Sequence, residues 1–148
     1  MYSYTTFNWE TAAIGIIILA LTITAGAIVA AVFYTITLQK TLNSCAPENR
    51  QMEGGMVWLN WIPLFGLGWQ FYVYIKIQES LKLEFESRGI EPDDSNFGYG
   101  IGLAYGVCNC VAVIPYLFPV GIASFVLWII YWVKINGYYQ LLNEESSN

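Results

Sequence analysis

The sequence predicts an all-α integral membrane protein with three to four transmembrane helices, a second apolar segment that is re-entrant or Pro-kinked, and a last pair forming a helical hairpin. Three observations predict this class. Composition is the first: of 148 residues, 56% are apolar, 17% aromatic and only 11% charged, where soluble domains carry about a quarter charged residues. Charge placement is the second, because residues 11–39, 54–75 and 95–133 contain no Asp, Glu, Lys or Arg. The first two stretches reach the roughly 20 residues that cross a hydrocarbon core, and the third is long enough for two crossings. The third observation is a repetition. IPLFGLG at 62–68 returns as IPYLFPVG at 114–121, and both copies share one order: apolar arm, Ile-Pro, Gly, aromatic arm, then Lys76-Ile77 or Lys134-Ile135.

Each element follows from local chemistry. Residues 1–10 form an interfacial N-terminus, since Tyr2, Tyr4, Phe7 and Trp9 suit the headgroup belt, Asn8 is a helix cap and Glu10 sits near a positive helix end. Residues 11–39 form a transmembrane helix. An anchor is expected rather than a cleaved leader, because no Lys or Arg precedes the stretch and it is about twice as long as a signal-peptide apolar core. After a polar loop around Pro47, residues 54–77 form the re-entrant or kinked segment, bent where Pro63 removes a backbone donor and Gly66 and Gly68 relax the chain. Residues 78–89 read as an amphipathic helix along the headgroups, with Ile77, Leu81 and Phe85 on one face, a Glu84–Arg88 pair and Gly89 as its stop. A solvated extension of the preceding helix fits the same residues. Residues 97–114 and 119–142 form the hairpin, bent at Pro115, Pro119 and Gly121, and 143–148 are a polar tail. No extramembrane segment is large enough to fold alone, so residues 1–148 are one membrane domain.

Topology turns on six cations, Lys40, Arg50, Lys76, Lys82, Arg88 and Lys134, because Lys and Arg collect in cytoplasmic loops. If residues 54–75 cross, the cations divide between the two sides. If the segment dips and returns, all six are cytoplasmic, with the N-terminus outside and the C-terminus inside a plasma membrane of bacterial inner-membrane type. The repetition favours the return. Against it, Trp58, Trp61, Phe65, Trp69 and Tyr72 recur at the three- and four-residue steps of one continuous helix face.

Function has fewer markers. Gly98, Gly102, Gly106 and Cys110 are spaced by four, a small-residue face that permits close helix packing, and Thr22, Gly26 and Ala30 offer a matching stripe. Asn60, Gln70 and Asn109 are polar at membrane depth and need partners. Lys134 is expected to snorkel to the headgroups beside Tyr138 and Tyr139. The three cysteines read as free thiols, since Cys108 and Cys110 point about 200° apart on a helix. With no histidine, no cysteine pattern for zinc and no acid–base pair within a membrane segment, neither catalysis, a bound metal nor a cofactor is expected. A net charge of −5 argues against nucleic acid as a partner. The expected partners are membrane lipid and other membrane subunits or further copies. The expected function is a non-catalytic subunit packed into a larger membrane assembly, and the alternative is a homo-oligomeric channel or small-solute transporter.

Overall fold

The computed structural model describes residues 8–92, 94–112 and 118–146, and every regular element among them is helical. In order these are α1 (Trp9–Ser44), a 3-10 arm (Gly54–Trp61), α2 (Phe65–Arg88), α3 (Tyr99–Ala112) and α4 (Phe118–Ser146). The chain divides into two compact units, Met1–Phe33 and Tyr34–Asn148.

The first unit contains the start of α1. Asn8 caps it as expected, its Oδ1 accepting from the Glu10 amide at 3.0 Å. Ile14, Ile16, Ile17, Ile18, Leu19, Leu21 and Ile23 are each more than half exposed, so this helix is apolar on every side. Thr22 and Thr24 do not interrupt that surface, because their hydroxyls donate back to the Ile18 and Ala20 carbonyls.

The second unit is a helical bundle whose core is set by helical periodicity. Tyr34, Leu38 and Leu42 of α1, Tyr74, Ile77, Leu81 and Phe85 of α2, and Tyr131, Ile135, Tyr138 and Leu142 of α4 fall at three- and four-residue steps and are buried together. The C-terminal ends of α1, α2 and α4 meet, for Arg88 donates to the carbonyls of both Ser44 and Leu142. These three helices therefore run towards one end, and α3 runs against them. Just before α3 Gly98 lies at Lys134, and along it Gly102 lies between Tyr131 and Tyr74 and Gly106 against Phe71.

Residues 54–75 are not one kinked helix. The 3-10 arm climbs antiparallel to α1, since the indole of Trp58 donates to Gln39 at 2.8 Å and that of Trp61 to Thr35 at 3.1 Å. Residues 62–64 then reverse the chain and α2 descends, with the Trp69 indole donating to the Met56 carbonyl across the pair. The aromatic steps that suggested one face are divided between the two arms, where Trp58 stacks on Trp61 and Phe65 on Trp69. Pro63 explains the break, and Gly66 permits the closeness: a Cβ there would overlap the Asn60 carbonyl oxygen.

Other boundaries also differ. Residues 78–88 are not a separate surface helix but the continuation of α2, with Ile77, Leu81 and Phe85 turned into the core. Gly89 ends it at φ +71°, the left-handed cap expected of glycine. Helix α1 runs on to Ser44 because Thr41 and Leu42 still have core to fill. The expected bend at Pro115 and the aromatic residues Tyr2, Tyr4 and Phe7 lie outside the described residues.

Candidate functional site

The densest polar cluster sits where the three helix ends converge. Glu84 occupies the buried face of α2, seven residues after Ile77, and its side chain is only 2% exposed. Its carboxylate accepts from the Ala46 amide at 2.8 Å, from Asn49 Nδ2 at 2.9 Å and from Arg88 at 2.6 Å. Arg88 spends its remaining donors on the Ser44 carbonyl, which the end of α1 leaves unpaired, and on the Leu142 carbonyl near the end of α4. Arg50 binds the carbonyls of Asn43 and Cys45 in the same way, and the Gln51 amide donates to Ser80 Oγ. Burial works to raise the Glu84 carboxyl, but the hydrogen bonds from Asn49, Ala46 and Arg88 outweigh it and hold the group below the ordinary carboxylate range. Beside it, burial and then the Glu84 charge push the Cys45 thiol up to about 12, so at neutral pH it is a protonated, weak nucleophile.

A second polar group precedes α3. Asp94 Oδ1 accepts from the Asn96 amide, Oδ2 from the Gly98 amide at 3.1 Å, and Lys134 Nζ closes on Oδ2 at 2.6 Å. Lys134 is thus paired with a carboxylate, whereas the sequence alone pointed to the headgroups. That contact and the two amides hold Asp94 below its usual pKa, the Lys134 hydrogen bond being the largest cause. The loop is tight enough to place Phe97 at φ +49° and wedge its ring against Phe85 and Tyr138. An open notch of about 470 Å³ lies nearby, but Lys134, Gly137, Tyr138, Gln140, Leu141 and Glu144 all belong to α4, so it is the flank of one helix.

Among the intramembrane polar candidates, Gln70 and Asn109 come together. Gln70 Nε2 donates to the Leu67 carbonyl and approaches Cys110 Sγ, and its Oε1 faces both Asn109 and the Tyr74 hydroxyl at 3.4 Å. Asn60 stands elsewhere, with a buried Oδ1 that meets no donor among the described residues. The small-residue face of α3 is filled from within its own chain: a Cβ on Gly102 would meet Tyr131 at 2.9 Å, and one on Gly106 would meet Phe71 at 2.8 Å. Cys110 continues the face towards Gln70 and Leu67. Gly26, in contrast, has nothing within 4 Å of its Cβ position, and the same holds for Gly68 and Gly121. Thr22, like Gly26, is exposed, Ala30 is half-buried, and Pro119 stands exposed near the start of α4.

Sequence reasoning paired Glu84 with Arg88 but missed its burial, and overlooked Asp94. Glu84 was detectable from its register with Ile77 and Leu81, and Asp94 from the Asp-x-Asn spacing of a turn that caps a helix. Chemically these clusters tie helix ends together. Among the described residues no group of three His, Cys, Asp or Glu side chains is placed to hold a metal. No protein-family model matches the chain, nor do any of the curated proteins or solved structures compared with it.

Proposed function

We propose that this protein is a non-catalytic integral membrane subunit that packs into a larger membrane assembly through the first part of α1. One observation carries the reading: the most apolar stretches are the least buried. None of the apolar window of α1 is buried, and only 17% of that of α4, whereas a soluble bundle turns such windows inward. Lipid covers that surface, α1 spans, and residues 54–77 re-enter without crossing. The cations support an orientation with the C-terminus in the cytoplasm, because all six belong to the second unit while the first carries only Glu10. A bacterial inner membrane fits this arrangement.

The Gly98, Gly102 and Gly106 face offers little to a partner, since its own rings occupy it. This also weakens the channel reading, which needs that face free for a neighbouring copy. Thr22 and Gly26 remain open and Ala30 is half-buried, so α1 is the helix that joins the assembly. A photo-crosslinker at Gly26 should give one discrete adduct with a different membrane protein, while the same group at Ile28, about 200° around the helix, gives none. The Gly26→Leu variant should lose that partner on purification from native membrane. If the protein instead purifies alone as one symmetric species and conducts ions in liposomes, the subunit reading is wrong.

A further inference from the structure

Resting on the membrane reading, we infer that the headgroup layer meets the second unit at one level, marked by Lys40, Lys76 and Lys134, and that residues 41–53, 77–92 and 135–146 beyond it form a folded cap standing in water. Contacts between helices fix the level. The Trp132 indole donates to Thr37 Oγ1 at 3.0 Å, and the Tyr74 and Tyr131 rings meet at 5.1 Å. The three helices run towards one end, and each lysine follows its contact residue by two or three positions, about 3–5 Å along the axis, so the three share a level to within about one turn. Lys76 holds its ammonium 5.7 Å from the centre of the Tyr72 ring, and Lys76 and Lys134 reach this level already paired, with Glu79 and Asp94. Cations beside aromatic rings are what the edge of a hydrocarbon core collects.

The exposed surface changes character across that level. At seven-residue steps along one face of α2 the exposed residues are Phe65, Tyr72, Glu79 and Glu86, and along α4 they are Val126, Val133 and Gln140. Both series turn from apolar to polar as they pass the lysine. Among the described large apolar residues exposed in the second unit, only Leu83 and Leu141 lie outside the charge-free stretches 54–75 and 95–133. Beyond the lysines the pattern is that of a bundle in water: Met52, Leu81, Phe85, Tyr138 and Leu142 are at most 4% exposed, while Lys82 and Glu86 stand outside at 60% and 62%. None of the three segments could fold alone. The polar node joins them, since Glu84 holds the Ala46 amide and Arg88 the Ser44 and Leu142 carbonyls. From Lys76 to Arg88 the cap rises about 18 Å. Its charge keeps it off the membrane, because acids outnumber cations by ten to three over residues 41–53, 77–94 and 135–148, and anionic headgroups repel such a surface.

Single-cysteine nitroxides test this in the full chain, reconstituted into nanodiscs of phosphatidylcholine and phosphatidylglycerol so that both faces meet solvent. Cys108 and Cys110 are replaced by Ser, and the buried Cys45 is retained. Labels at Phe65→Cys and Val126→Cys should collide with dissolved oxygen rather than with a water-soluble nickel chelate, at an oxygen-to-chelate ratio many-fold above labels at Glu86→Cys and Gln140→Cys. A second chelate, carried on a lipid headgroup, should collide several-fold more with Glu79→Cys than with Glu86→Cys. Equal collision of the anchored chelate with those two labels means that the end of α2 lies along the headgroups, which overturns the inference. A ratio at Gln140→Cys as high as that at Val126→Cys places the end of α4 in hydrocarbon and overturns it equally. Two helices are labelled, so one variant that fails to fold leaves the other pair to decide. Access of the soluble chelate to a label on Ile17→Cys sinks the membrane reading itself, a separate failure.

Discussion

Gly102 and Gly106 are glycines because aromatic rings stand where their side chains would be. Tyr131 and Tyr74 are almost completely buried and packed edge to face at 5.1 Å, so neither ring can swing away from a new neighbour at Gly102. Gly102→Leu should therefore lower stability by about 1–3 kcal/mol, the usual cost of overpacking. Gly137, inside α4 with nothing within 4 Å of its Cβ position, should behave oppositely, Gly137→Ala gaining about 0.5–1 kcal/mol of backbone entropy. Thermal unfolding in detergent reads both. Equal melting of Gly102→Leu and the parent protein would mean that α3 does not lie between α2 and α4 as described.

The Glu84–Arg88 pair shows how one helix organises two others. Removing Arg88 leaves a carboxylate of 2% exposure without its cation, uncaps the end of α1 and cuts its tie to the Leu142 carbonyl of α4. Arg88→Ala should cost on the order of 3 kcal/mol, as broken buried pairs do. Arg88→Lys should recover little of it, because a single ammonium cannot fork to a carboxylate and two carbonyls. Melting temperature, with protease sensitivity of the loop around Pro47, measures both. Much of this element was legible beforehand: the Ile77, Leu81, Phe85 face, the Glu84–Arg88 pair and the Gly89 stop all stand in the sequence at helical spacing. That the pair is buried was not legible, since a charged residue four from another reads equally well as a solvated couple. The reversal at 62–64 was ambiguous for a related reason. Two arms that fold back on each other keep the same residue steps as one kinked helix, and only the contacts from Trp58 to Gln39 and Trp69 to Met56 separate them. The packing partners of Gly102 and Gly106 depend on tertiary contacts that spacing does not encode.

At the scale of the whole molecule, the buried or paired ionisable groups outside the membrane segments give stability a defined dependence on pH. Glu84 and Asp94 have folded pKa values below their unfolded ones. The folded state therefore binds fewer protons than the unfolded chain in that range, and the stability they contribute is present above about pH 4.5 and is lost as pH falls through the folded values. Cys45 works from the other side. Its thiol titrates at about 12 when folded and near 8.5 when unfolded, so above about pH 8.5 the unfolded chain releases a proton that the folded state keeps, and stability declines as pH rises. The melting temperature in detergent should thus be flat from about pH 5 to about pH 8 and fall on both flanks. Cys45→Ala should flatten the alkaline flank and leave the acid one, because it removes the thiol without touching Arg88. Glu84→Gln should lower the plateau and shallow the acid flank, since a neutral amide has no proton to gain. An alkaline flank unchanged by Cys45→Ala would show that the thiol is not enclosed beside Glu84, and with that the meeting of the α1 end, the following loop and α2 at one polar node would be wrong.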